Sequence, residues 1–228
     1  MKRILRILLG IVVVALLGSL VWIVWFSHVL NVRRVEVDGM KTLTAAQIRT
    51  QAAVPIGGPL ARLNLGQIET RVASMPLVDT VKAHRRWPHL LVVTVRERVP
   101  IAWVQIDGQV RLVDRHGVDF RTVRRGPTSL VELRIESSDP DVRVKAFESA
   151  ARVIVFLRHD GRDVFNRLKY VSAGTQDSVH LRLDSDRTVV WGSAERSADK
   201  LTVLRALLKG VRAARYDVSA PELPTTKK

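Results

Sequence analysis

The residues able to do chemistry are few and poorly clustered. His84 and His89 stand five apart around Trp87-Pro88. A metal site needs a further ligand nearby, and the sequence places none beside them, so structural or surface roles are expected. Asp184 and Asp186 bracket Ser185 and could resemble a general acid–base pair. Asp is equally a turn residue, and a turn is the expected role. Serines are scattered without the strand-to-helix context of a nucleophile elbow. Gly57-Gly58 runs into Pro59 and lacks the Lys and the helix of a phosphate-cradling loop. Arg85, Arg86 and Trp87 could stack on a base, but one aromatic in a strand-rich stretch points to core or turn packing. With no cysteine, the chain has no disulfide, no thiolate zinc ligand and no thiol nucleophile. The expectation is a protein without catalytic residues, metal or cofactor.

The chain has 228 residues and a net charge of +15. Arg outnumbers Lys by 28 to 9, in short runs such as Arg33-Arg34, Arg85-Arg86 and Arg124-Arg125. Such charge suits an anionic partner such as nucleic acid, lipid headgroups or an acidic wall polymer. Because it is spread along the whole chain, a solvated basic surface is the expectation, with no nucleic-acid partner.

What must position these residues begins with an anchor. Ile7 to Phe26 is twenty residues without an ionisable side chain. As a helix it would span roughly 30 Å, the hydrocarbon thickness of a bilayer. Trp22, Trp25 and Phe26 gather at its C-terminal end, where aromatic rings favour the interface. The run is too long for a signal-peptide core, and no small-x-small cleavage pattern follows. An uncleaved signal-anchor over residues 7–29 is expected, after a basic cytoplasmic tail of residues 1–6. Lys2, Arg3 and Arg6 nearly balance Arg33, Arg34 and Lys41 across it. A short tail inside and a large translocated domain is the usual outcome for such an anchor.

Beyond the anchor the pattern is α+β in two modules. Residues 32–99 read as strand, helix, helix, strand, strand. Val32, Val35 and Val37 form a strand ended by Asp38-Gly39. Thr44 with Gln47 opens a helix through a capping box, and Asn64 with Gln67 opens a second carrying Leu65, Ile68 and Val72. Leu77 to Arg85 and Leu90 to Val95 are strands. In residues 100–220, Asp107-Gly108 marks a hairpin, and Asp114 to Gly117 a second turn. Asp139-Pro140 starts a helix with Asp as N-cap and Pro at its first position. Three strands follow, then a helix burying Ala198, Leu201, Leu204, Leu207 and Leu208, and a last strand within 213–219. Residues 221–228 are polar and expected to be disordered.

This order resembles FtsQ/DivIB, the bacterial cell-division family. The resemblance is carried by Val35-Glu36-Val37-Asp38-Gly39, by Gly57-Gly58-Pro59-Leu60 and Leu77-Val78, and by Arg86-Trp87-Pro88 with Val93 to Arg98 and Pro100. Asp114, Gly117 and Phe120, Val190 to Gly192 with Lys200, and Arg215-Tyr216-Asp217 extend it over about residues 1–220. It implies a POTRA domain at 32–99 and a mixed, mostly antiparallel β-domain with two helices at 100–220. It implies a non-enzymatic scaffold and regulator in the bacterial cell membrane at the division septum, with the N-terminus cytoplasmic and the main domain outside. The implied partners are FtsB/DivIC-like and FtsL-like proteins and, through them, the septal peptidoglycan synthase complex. The implied docking site is strand addition at the last strand, Arg215, Tyr216, Asp217, Val218 and Ser219, with Lys200 and Leu204 on the preceding helix. Tyr216 is the expected anchor, and Ile7, Trp22, Trp25 and Phe26 are the expected membrane contacts. The alternatives are a membrane-anchored cell-wall enzyme, which would need a clustered catalytic pair, and another POTRA-type envelope assembly or secretion factor.

Overall fold

The structure is a computed structural model that describes residues 8–19 and 30–228. Residues 8–19 form a helix, α1, with exposed apolar side chains. Among the described residues no helix is long and apolar enough to cross a membrane. Ile7, Trp22, Trp25 and Phe26 lie outside the described residues. The chain divides into two compact units, Met1–Arg98 and Val99–Lys228.

In the first unit β1 (Arg34–Asp38) is followed by α2 (Ala45–Ala52), α3 (Leu65–Ala73), β2 (Val78–Arg86) and β3 (Leu90–Glu97). The sheet order is β1-β3-β2, with β1 parallel and β2 antiparallel to β3. Local chemistry starts both helices. Thr44 accepts from the Gln47 N–H while the Gln47 side chain accepts from the Thr44 N–H. Asn64 Oδ1 accepts from the Gln67 N–H. Ile48, Ala52, Ile68 and Val72 then bury one face of each helix in a single core with Val35, Val37, Leu91, Val93 and Val95. Gly39 is required at the end of β1: its φ is +84°, and a Cβ there would collide with the Val95 carbonyl.

The second unit is built on one nine-stranded sheet. Its strands are β4 (Pro100–Ile106), β5 (Gln109–Asp114), β6 (Asp119–Val123), β7 (Val131–Ile135), β8 (Leu168–Ala173), β9 (Val179–Leu183), β10 (Thr188–Gly192), β11 (Arg215–Asp217) and β12 (Thr225–Lys227). The order is β12-β11-β10-β9-β8-β7-β4-β5-β6. Five of the eight pairings are antiparallel, so the sheet is mixed and mostly antiparallel. Parallel neighbours need crossovers, and helices supply two of them. α4 (Pro140–Asp160) and α5 (Arg162–Phe165) join β7 to β8, and α6 (Ser197–Gly210) joins β10 to β11.

Asp139 caps α4 by accepting from the Asp141 and Val142 N–H groups. Asp107 and Gly108 turn the β4–β5 hairpin with φ of +50° and +76°, both on the left-handed side that a two-residue type I′ turn requires. α5 has no counterpart in the sequence pattern, being a single turn that packs Val164. Two expectations fail here. Ala198 is exposed, and Lys200 takes the inward position beside Leu201 and Leu204. Residues 221–228, expected to be disordered, contribute β12, which pairs antiparallel with β11. The Ala214 N–H also donates to the Lys227 carbonyl at 3.0 Å.

Candidate docking edge

The last strands of the second unit are placed by burial and capping rather than by surface contacts. β11 pairs with β10 on one side, Val189 facing Tyr216, and with β12 on the other, Tyr216 facing Thr226. Among the described strands the margin on this side of the sheet is therefore β12, not β11, and β6 borders the other side. Tyr216 is fully buried. Its hydroxyl donates to the Val211 carbonyl at 2.8 Å and accepts from the Ala213 N–H at 3.1 Å. Tyr216 thus pins the connection from α6 back to the sheet, a role that an exposed anchor could not have. Val218 is also fully buried, with its N–H donating to the Val190 carbonyl. Ser219 is held by Asp217, whose carboxylate accepts from the Ser219 hydroxyl and N–H.

The helix residues behave likewise. Leu204 is fully buried in the core. Lys200 is 2% exposed, and its ammonium donates to the Ser193 carbonyl at 2.9 Å. Burial pushes that ammonium's pKa down, with Glu195 working against the shift. Beside it, the Trp191 indole N–H donates to the Ser197 hydroxyl, which donates to the Ala194 carbonyl. Of the seven expected docking residues, Lys200, Leu204, Tyr216 and Val218 build the platform. Arg215, Asp217 and Ser219 reach its surface.

The sequence pattern missed the strand that forms the rim. Thr225, Thr226 and Lys227 are all exposed. With Arg215 and Asp217 they line a shallow depression of about 270 Å³. The β-branched pair Thr225-Thr226 was the available signal. It is a weak one, because a three-residue strand has no side-chain pattern to read.

The candidate catalytic residues do not assemble. Asp184 and Asp186 sit in a 3-10 turn between β9 and β10. The Arg167 guanidinium holds the Asp184 carboxyl below its ordinary range, and Lys169 with Arg182 does the same for Asp186. Carboxylates held ionised in this way are poor general acids. The Gly57 N–H donates to the Val32 carbonyl, and the Gly58 N–H to the Pro55 carbonyl, so both are committed to the loop. Among the described residues no group of three or more His, Asp or Glu side chains could hold a metal ion. Trp87 is at a turn but is half exposed rather than packed into the core.

A strand-helix-helix-strand-strand unit followed in the chain by a unit with a larger mixed sheet defines a POTRA-containing α+β protein. A family model described as "POTRA domain, FtsQ-type" matches residues 30–98, and one described as "Cell division protein FtsQ/DivIB, C-terminal" matches residues 102–219. Relatives named cell division protein FtsQ agree. The chain is 33% identical to that of Streptomyces collinus, covering 96% of this chain and 86% of the relative. It is 38% identical to that of Streptomyces bingchenggensis over 93% and 82%. It is 32% identical to that of Mycolicibacterium smegmatis over 98% and 65%. The chain belongs to the FtsQ/DivIB family of bacterial cell-division proteins.

Proposed function

We propose that the chain is a non-enzymatic scaffold and regulator of the division machinery, held in the cell membrane by one helix, with its N-terminus cytoplasmic and both units outside at the septum. The uncharged run from Ile7 to Phe26 supports the anchor. The docking reading rests on one observation: the large sheet ends at β12, three exposed residues paired on one side only. Such a margin offers unpaired main-chain groups to another extended chain. The partner is an FtsB/DivIC-like protein, joined by an FtsL-like one, and through them the chain helps control septal peptidoglycan synthesis.

The buried residues then have a different part from the one expected of them. Tyr216, Val218, Leu204 and Lys200 hold the platform, while Arg215, Asp217 and β12 meet the partner. Co-purification from detergent at modest salt, with FtsB/DivIC-like and FtsL-like proteins of the same organism, tests this. Capture of both supports the scaffold, and recovery of neither contradicts it.

A further inference from the structure

One end of the first unit gathers features that the docking edge does not use. Past residue 30, the large apolar side chains that the described part of this unit leaves exposed are Ile56, at 63%, and Trp87, at 50%. They come from different loops, yet the backbone fastens both loops to one short stretch of chain. The Val32 N–H donates to the Gly58 carbonyl at 2.9 Å, and the Gly57 N–H donates to the Val32 carbonyl at 2.8 Å. The next residue, Arg33, donates its N–H to the His89 carbonyl at 2.9 Å. The Ile56 loop and the Trp87 hairpin tip therefore flank the point at which the chain enters β1.

The charge at this end has one sign in excess. Arg33, Arg34 and Arg49 line a shallow depression of about 430 Å³ together with Ile56. The Arg49 guanidinium is aimed by its bond to the Val35 carbonyl at 2.9 Å. Arg86 precedes Trp87 and is exposed. Glu36 is the acidic side chain among them, 3.9 Å from Arg34 and 3.5 Å from Arg86. It offsets one of four arginines.

We infer that this end of the first unit docks on the surface of the membrane carrying the anchor, with Ile56 and Trp87 in the interface and Arg33, Arg34, Arg49 and Arg86 on anionic phospholipid headgroups. The inference rests on the membrane anchor proposed above. Arg33 is the seventh residue after Phe26, so at most about 24 Å of extended chain separates it from the apolar run. An aromatic ring beside arginines is the side-chain set that an interface favours. Each basic residue near an anionic surface biases the docked state by roughly fivefold.

The chain has no cysteine, so single labels are clean. The full chain is reconstituted into vesicles of phosphatidylcholine with phosphatidylglycerol, carrying a fluorophore at Ile56→Cys or, in a second sample, at Lys41→Cys. Lys41 is exposed and lies past the opposite end of β1. Brominated lipid should quench the label at position 56 several-fold more than the label at 41. That difference should shrink in phosphatidylcholine alone, at high salt, and in the R33E/R34E chain, while R33K/R34K keeps it. The salt series needs no substitution and stands even if the charge-reversed chain folds poorly. Equal quenching at the two positions in anionic vesicles, with the chain floating alongside them, overturns docking and leaves this end to a protein partner. A chain that does not float with vesicles overturns the anchor itself, and docking with it.

Discussion

Side chains close backbone groups in both units, and the two differ at a strand that borders the sheet. In the first unit, charged and amide side chains close the backbone. The Glu97 carboxylate accepts from the N–H groups of Lys41, Thr42 and Leu43. The Arg85 guanidinium donates to the carbonyls of Leu60 and Leu63, Arg71 to that of Ala52, and Glu69 accepts from the Ala83 N–H at the outer strand. In the second unit, the sheet ends on one side at β12, a three-residue strand whose side chains are all exposed. A loop or edge whose polar groups are met by its own side chains has little left to offer. An edge met by three exposed residues has a whole row. On the docking proposed above, binding falls to the β12 end and stability to the buried platform of Tyr216, Val218, Leu204 and Lys200.

Substitutions should separate those two roles. The largest effect is expected for Tyr216→Ala. It empties a fully buried aromatic site and removes both hydroxyl bonds, which should cost about 3–5 kcal/mol. Denaturant unfolding should show the loss in the second unit alone. An undisturbed second unit would mean that Tyr216 is not the keystone of the platform.

Glu97→Leu is next. Three N–H groups lose their acceptor, at about 2–3 kcal/mol, and the loss should fall on the first unit. Acid should mimic it. Burial pushes the Glu97 pKa up, but the bonds from Leu43, Lys41 and Thr42 outweigh burial and hold it below its ordinary value of 4.5. A depressed carboxylate contributes stability above its unfolded pKa and loses it as pH falls through the folded one. Melting of the first unit should therefore be level above pH 5 and fall below about 4.5, a fall that Glu97→Leu removes. Asp139→Ala, which uncaps α4, should cost about 1 kcal/mol. Ending the chain after Pro224 removes β12 and should change thermal stability least, by about 0.5 kcal/mol or less.

Much of this was legible in the sequence because it is local chemistry. Thr44 with Gln47, Asn64, Asp139-Pro140 and Asp107-Gly108 each specify their own cap or turn within four residues, and each does so in the structure. What stayed illegible depends on distant chain. Tyr216 reads as an edge residue until β12 is found covering that edge, and β12 is held through main-chain pairing that leaves no pattern. Lys200 reads as a surface cation until the Ser193 carbonyl is seen accepting its hydrogen bond in the interior. Glu97 reads as an ordinary strand carboxylate, because its partners lie more than fifty residues earlier. Trp87 and Ile56 share an end only through backbone bonds made by Val32 and Arg33.

In the proposed docking, the open β12 edge, not the buried residues behind it, receives the partner. It is tested most directly by comparing capture of the FtsB/DivIC-like protein by the full chain and by the chain ending at Pro224, both confirmed folded by circular dichroism. Addition outside β12 requires capture by the full chain and a fall of at least tenfold in affinity when β12 is gone. Equal or tighter capture by the shortened chain would contradict it, and would show instead that the partner pairs with β11 after the tail has left.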